Sequence, residues 1–121
     1  MNMGDTSVLG YYTLSSYGID VGELPGNVAR KLPRYPVVPA TLLGRLAVDQ
    51  RNQGKGIGEF LLMDALNRAL VQSAEIAAAA VVAEAIDERA AQFYRHFGFV
   101  AFPTLPGRLF LPMKTVASLL R

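Results

Sequence analysis

The sequence predicts an α/β domain, a mixed sheet flanked by helices, and three observations carry that expectation. An apolar strand-like run, Thr41 to Val48, breaks into a basic, glycine-punctuated turn that feeds directly into an amphipathic helical pattern. A second apolar run, Ala77 to Ala85, is followed at once by a second amphipathic stretch opening at Asp87. The segment from Phe99 to Pro112 then alternates like two short strands around a Pro106-Gly107 turn.

Taken in order, Val8 to Ser15 alternates and carries Tyr and Thr, so it reads as a strand followed by a glycine-rich turn. Val21 to Leu32 holds a short helix, and Pro33, Pro36 and Pro39 exclude regular structure until the strand at Thr41. From Gly56 a helix runs to about Ser73, with Leu61, Leu62, Ala65, Leu66, Ala69 and Leu70 on one face and Glu59, Asp64, Asn67 and Arg68 on another.

Ala77 to Ala85 is apolar except at Glu84, as expected of a strand buried on both faces. Its alanine content makes helix the competing reading; the β-branched pair Val81 and Val82, and the new helix beginning at Asp87, decide for strand. Asp87 caps that helix, and Ala90, Phe93, Tyr94 and Phe97 recur at helical spacing behind it. Thr115 to Leu120 closes the chain as a short helix.

A length of 121 residues gives a single domain over residues 1–121. Charged residues interrupt the apolar runs well short of a membrane-spanning length, and no basic region followed by an apolar one opens the chain, so a cytoplasmic protein with no membrane contact is expected. The absence of cysteine excludes disulfides, thiolate metal sites and any covalent cysteine intermediate. No metal is expected. A net charge of +2 is too small to argue for nucleic acid by itself. Arg30, Lys31 and Arg34 do cluster beside the prolines, where they could meet an RNA backbone or simply be solvated.

The glycine turn is the most informative local feature. Gly54, Gly56 and Gly58 let the backbone turn tightly and approach a ligand, the following helix offers free N–H groups and a positive dipole end, and Arg51 and Lys55 add charge. It is not a P-loop, because Asp49 stands where the first glycine belongs and Gly56 where Ser or Thr follows the lysine. Nor is it a dinucleotide fingerprint, whose third glycine is replaced by Glu59.

Arg51, Gly54 and Gly56 within RNQGKG resemble motif A of the GNAT superfamily of acetyl-coenzyme A dependent N-acetyltransferases. The helix carrying Tyr94 resembles the one that follows the fifth strand of that fold. With GYYTLSS, LPRYPVVPATLLGRLAVD and RLFLPMKTV, nearly the whole chain is similar to the GNAT toxins of bacterial toxin-antitoxin modules, which acetylate the amino group of aminoacyl-tRNA. The resemblance implies the GNAT acyl-CoA N-acyltransferase fold without its usual first strand, first two helices and second strand.

It further implies acetyl-CoA as co-substrate, its pantetheine arm pairing with the backbone of Leu46, Ala47 and Val48. Motif A, from Arg51 through Gln53, Gly54, Lys55, Gly56, Ile57 and Gly58, implies the diphosphate site. Tyr94 is implied as the general acid for the departing thiolate, against the plainer reading that it packs with Phe93 and Phe97 in the core. No base stands out. Glu84 acting through water is a candidate, equally readable as a hydrogen-bonded strand residue, and His96 reads as a surface or packing residue. The implied partners are aminoacyl-tRNA, a ribbon-helix-helix antitoxin and a second copy in a homodimer. Two other readings stay open: acetylation of a small amine or a protein N-terminus, and a non-catalytic remnant that binds coenzyme A or an antitoxin.

Overall fold

A computed structural model of the chain describes residues 10–29, 37–48, 56–76 and 78–120. Strands β1 (Gly10–Asp20), β2 (Val37–Val48), β3 (Ala80–Glu84), β4 (Val100–Ala101) and β5 (Arg108–Pro112) form one sheet in the order β1-β2-β3-β5-β4. The pair β2 and β3 is parallel, joined by helix α2 (Ile57–Ile76); the other neighbours are antiparallel. A 3-10 turn (Val21–Glu23) and one-turn α1 (Gly26–Ala29) lie between β1 and β2, α3 (Glu88–His96) follows β3, and α4 (Met113–Leu119) follows β5.

Two cores sandwich the sheet. Beneath α2, Leu62, Leu66 and Ala69 pack on Leu43, Val81, Leu109 and Leu111. On the opposite face Ile19, Leu24, Ala40, Val82, Phe102 and Phe110 form a second cluster. Adjacent Val81 and Val82 therefore point to opposite faces, both fully buried, which is the physical reason their segment lacks a polar alternation.

Both early strands are longer than the sequence suggests. Strand β1 continues through Gly18, expected to be a turn, because it is laddered to β2 along its whole length and a Cβ at Gly18 would stand 2.8 Å from the Val37 side chain. Strand β2 starts before Thr41 and includes Pro39. The Pro39 carbonyl accepts from the Ala79 N–H at 2.8 Å, so the edge that lacks an N–H faces away from β1, and the ladder to β1 loses nothing there. Within Val21 to Leu32 the described residues hold the expected short helix as α1, preceded by the 3-10 turn; residues 30–32 lie outside the described residues. Among the described residues, no helix is long and apolar enough to cross a membrane.

Candidate active site

The site begins with a glycine in a strand. Thr13 of β1 faces Arg45 of β2 and Leu14 faces Leu43, leaving Gly44 without a partner, so it is the extra residue of a β-bulge. A Cβ at Gly44 would lie 3.2 Å from the Thr13 hydroxyl oxygen, so glycine suits this crowded corner. The parallel pairing of β2 with β3 ends at Leu43 opposite Ala83, at the bulge. Beyond it β2 keeps its ladder to β1, but its other edge carries backbone groups that β3 does not pair.

That edge forms one wall of a groove of ≈ 790 Å³, which Gly44, Arg45, Leu46 and Ala47 line. The start of α2 closes one end through Gly56, Gly58 and Glu59. Gly56 has φ +76°, the left-handed region open to glycine, and its carbonyl accepts from the Phe60 N–H at 3.0 Å, which makes it the residue that caps the helix. Among the described residues, no atom lies within 4 Å of where its Cβ would be. The first N–H groups of a 20-residue helix thus begin at the groove, a geometry suited to an anion.

Helix α3 is the opposite wall, presenting Ala90, Phe93, Tyr94 and Phe97. The Asp87 carboxylate accepts from the Ala90 N–H at 2.8 Å and starts the helix where β3 has just ended. Tyr94 is buried, its ring 5.5 Å from Phe93 and 5.2 Å from Phe99, and this burial pushes its phenol up to about 12. It joins the core beneath α2 and lines the groove as well, so the packing reading and the site reading of the sequence describe one position.

Of the residues singled out by the sequence, the structure brings Leu46, Ala47, Gly56, Gly58 and Tyr94 into this groove, with Glu84 and His96 on its margin. Val48 ends β2 opposite Gly10, and Ile57, half-buried, opens α2 without lining the groove. Arg51, Gln53, Gly54 and Lys55, like Arg30, Lys31 and Arg34, lie outside the described residues. Sequence reasoning passed over Gly44, Tyr11, Ile86 and Arg89. Only Gly44 had a signal, a glycine inside a strand pattern, which often marks a bulge.

The polar atoms and shape fit an elongated acyl thioester: an unpaired strand edge for an amide-containing arm, a helix N-terminus for phosphate, and an apolar wall for the methylene chain. Charges of both signs stand on the rim, with Arg45 and Arg89 against Glu59 and Glu84, all exposed.

Residues 10–101 match the family described as acetyltransferase (GNAT) domain. A tRNA-acetylating toxin of Mycobacterium tuberculosis is 40% identical over 116 residues, covering 96% of this chain and 69% of the relative. Among solved structures, a crystal structure of a tyrosine-to-phenylalanine mutant of KacT is similar with a TM-score of 0.85 and 34% identity, covering 92% of this chain and 66% of that one. AtaT complexed with acetyl-methionyl-tRNAfMet gives 0.84 and 33% identity over 93% of this chain and 67% of that one. AtaTR bound with AcCoA gives 0.79 and 33% over 93% and 66%, and a further structure holds AtaT bound to the C-terminus of the antitoxin AtaR. The chain spans about two thirds of the length of these relatives.

Proposed function

This chain belongs to the GNAT acetyltransferase family, and from that premise we propose that it transfers the acetyl group of acetyl-CoA to the amino group of aminoacyl-tRNA, as a toxin that blocks translation. The observation that carries the reading is the convergence of the bulge-opened edge of β2, the glycine-capped start of α2 and Tyr94 on one groove. The tRNA-acetylating toxin and the AtaT complex with acetylated methionyl-tRNA support the choice of acceptor.

On this reading the pantetheine amides hydrogen-bond to the β2 backbone at Leu46, Ala47 and Val48, adding a strand where β3 has parted from it. The diphosphate sits against the segment from Arg51 and Gln53 through Gly58, where the first N–H groups and the dipole of α2 favour an anion. The acceptor nitrogen attacks the acetyl carbonyl and the thiolate leaves. Tyr94 keeps its proton throughout the physiological range because burial holds its phenol at about 12. An ordinary thiol has a pKa of about 8.5. The phenol is the weaker acid, so it stabilises the developing thiolate first by donating a hydrogen bond and completes proton transfer only as the C–S bond breaks.

A ribbon-helix-helix antitoxin, a homodimer and a cytoplasmic location complete the proposal; the AtaT complex with the AtaR C-terminus supports a protein antitoxin as partner. The reading in which the acceptor is a small amine or a protein N-terminus shares the same groove. Radiolabelled acetyl-CoA offered with aminoacyl-tRNA, deacylated tRNA, polyamines and an N-terminal peptide separates the two. Label that follows only aminoacyl-tRNA supports the proposal, whereas label on the polyamine or peptide alone overturns it.

A further inference from the structure

On the sheet face that carries Val82 and Phe110, three polar side chains from three strands meet beside the groove. Glu84 ends β3 and lines the groove. Arg108 opens β5 directly opposite Glu84 in the antiparallel register, with one terminal guanidinium nitrogen 3.8 Å from the Glu84 Oε1. The other terminal nitrogen donates a 2.5 Å hydrogen bond to the Tyr17 hydroxyl, and the guanidinium carbon stands 5.3 Å from the Tyr17 ring centroid. Tyr17 belongs to β1, so the two side chains together bridge β3 and β2.

The backbone that launches Arg108 is fixed. Gly107 turns at φ +80°, the Ala85 N–H donates to its carbonyl at 2.7 Å, and the Phe102 N–H donates to the Arg108 carbonyl at 2.9 Å. An ion pair as loose and as exposed as Arg108 with Glu84 adds little to stability. Its effect is orientation. A guanidinium presents its donors in a rigid planar fork, so anchoring one nitrogen on Tyr17 sets where the other faces. It faces a carboxylate at the groove margin.

We propose that Arg108, anchored by Tyr17, is a positioning residue that holds the Glu84 carboxylate where the acceptor enters, so that Glu84 receives a protonated α-amine and takes its proton through a water molecule; this rests on the acetyltransferase reading above. The ammonium gives one proton through water to Glu84, which passes it to solvent. The freed nitrogen lone pair forms the N–C bond to the acetyl carbon, and the C–S bond breaks with its electron pair going to sulfur. The nitrogen's second proton leaves to solvent, and the thiolate is protonated at Tyr94, which recovers a proton from solvent. The substrate class follows from the relay. An α-ammonium is a far stronger acid than a lysine ammonium, about 7.7–8.0 against about 10.4, so a carboxylate relay through water serves the first and serves the second poorly.

The test is a double-mutant cycle in single-turnover acetyl transfer to aminoacyl-tRNA, with acetyl-CoA affinity and thermal unfolding measured on every variant. Glu84→Gln is expected to slow transfer on the order of a hundredfold. Arg108→Gln is expected to slow it about tenfold in the parent and not at all in the Glu84→Gln background, with acetyl-CoA affinity unchanged in each. Tyr17→Phe and Arg108→Lys, which remove only the anchor and only the fork, should show the same dependence on Glu84 and serve if Arg108→Gln does not fold. Arg108 effects of equal size in both backgrounds would make its role structural and overturn the proposal. Full activity in the Arg108 variants would do the same while leaving the acetyltransferase reading intact. A folded parent that acetylates no amine would overturn that reading, and this one with it.

Discussion

Gly56→Ala separates a binding role for the α2 cap from a folding role. Gly56 sits at φ +76°, so an alanine there places an L side chain in the left-handed region, at a penalty of about 1–2 kcal/mol. No atom of the described residues lies within 4 Å of the new methyl, so none of them adds a clash to that figure. The methyl instead enters the groove that Gly56 lines. If the diphosphate meets backbone N–H groups at this point, pushing it outward lengthens several charge-assisted hydrogen bonds, and loss of one such bond is worth about 1.5–3 kcal/mol. Acetyl-CoA affinity should therefore fall on the order of tenfold to a hundredfold. Gly56→Glu should abolish binding, because it also places a negative charge beside the phosphates. Gly98→Ala is the control. It has φ +99° and only an ordinary 3.6 Å contact to Leu111, and it does not line the groove. Chemical denaturation and calorimetry on all three variants decide the matter. Equal stability losses in the two alanine variants, with undiminished acetyl-CoA affinity in Gly56→Ala, would refute the placement of the phosphates.

Three further outcomes are expected. Tyr94→Phe keeps the ring packed on Phe93 and Phe99 and removes only the hydroxyl, so single-turnover transfer should slow on the order of a hundredfold at unchanged acetyl-CoA affinity; a variant as fast as the parent returns Tyr94 to the core alone. Burial raises the Tyr94 phenol from its ordinary 10.0 to about 12, so the folded state holds that proton longer than the unfolded chain does. Stability is then complete below pH 10 and is lost as pH rises towards 12, by about 2–3 kcal/mol from this residue. Denaturation midpoints across that range should show a shallower decline in Tyr94→Phe, and an identical decline would contradict the assignment. Asp87→Ala leaves the Ala90 N–H without its 2.8 Å acceptor and should lower stability by about 1 kcal/mol, or a thermal midpoint by roughly 4 °C; no change would mean that the cap is not formed in solution.

The parts of the fold that could be read in the sequence are those whose cause is local. Helices α2 and α3 announce themselves because a repeat near 3.6 residues has to bury one face, and Asp87 because an extended aspartate three residues before a free N–H is a cap. The lengths of β1 and β2 are not local. Gly18 and Pro39 look like breakers in isolation, yet one is needed for the close approach of Val37 and the other directs its missing donor away from β1. The groove was half legible. Its α2 end followed from glycines before a helix, and its strand edge depends on a bulge at Gly44, whose one signal was a glycine inside an apolar run. The contact from Arg108 to Tyr17 joins residues 91 apart in the chain, which no local pattern encodes.

The bulge also accounts for how the candidate acid and the candidate base come to share one groove from different sides of the sheet. Once Gly44 ends the pairing at Leu43 and Ala83, β3 has a single residue left before the chain leaves the sheet, and that residue is Glu84. It shares the face of Val82. The chain then turns through Asp87 into α3, whose second turn brings Tyr94 over the core beneath α2, on the other face. An acyl thioester lying in the gap between β2 and β3 is therefore flanked by Glu84 towards one face and Tyr94 towards the other. Attack by the amine needs proton removal and departure of the sulfur needs proton supply; both occur around one tetrahedral centre, so two separate groups at different positions about the carbonyl can serve them. Opening two parallel strands with one unpaired glycine supplies that separation without any further element, because successive residues of a strand already point to opposite faces.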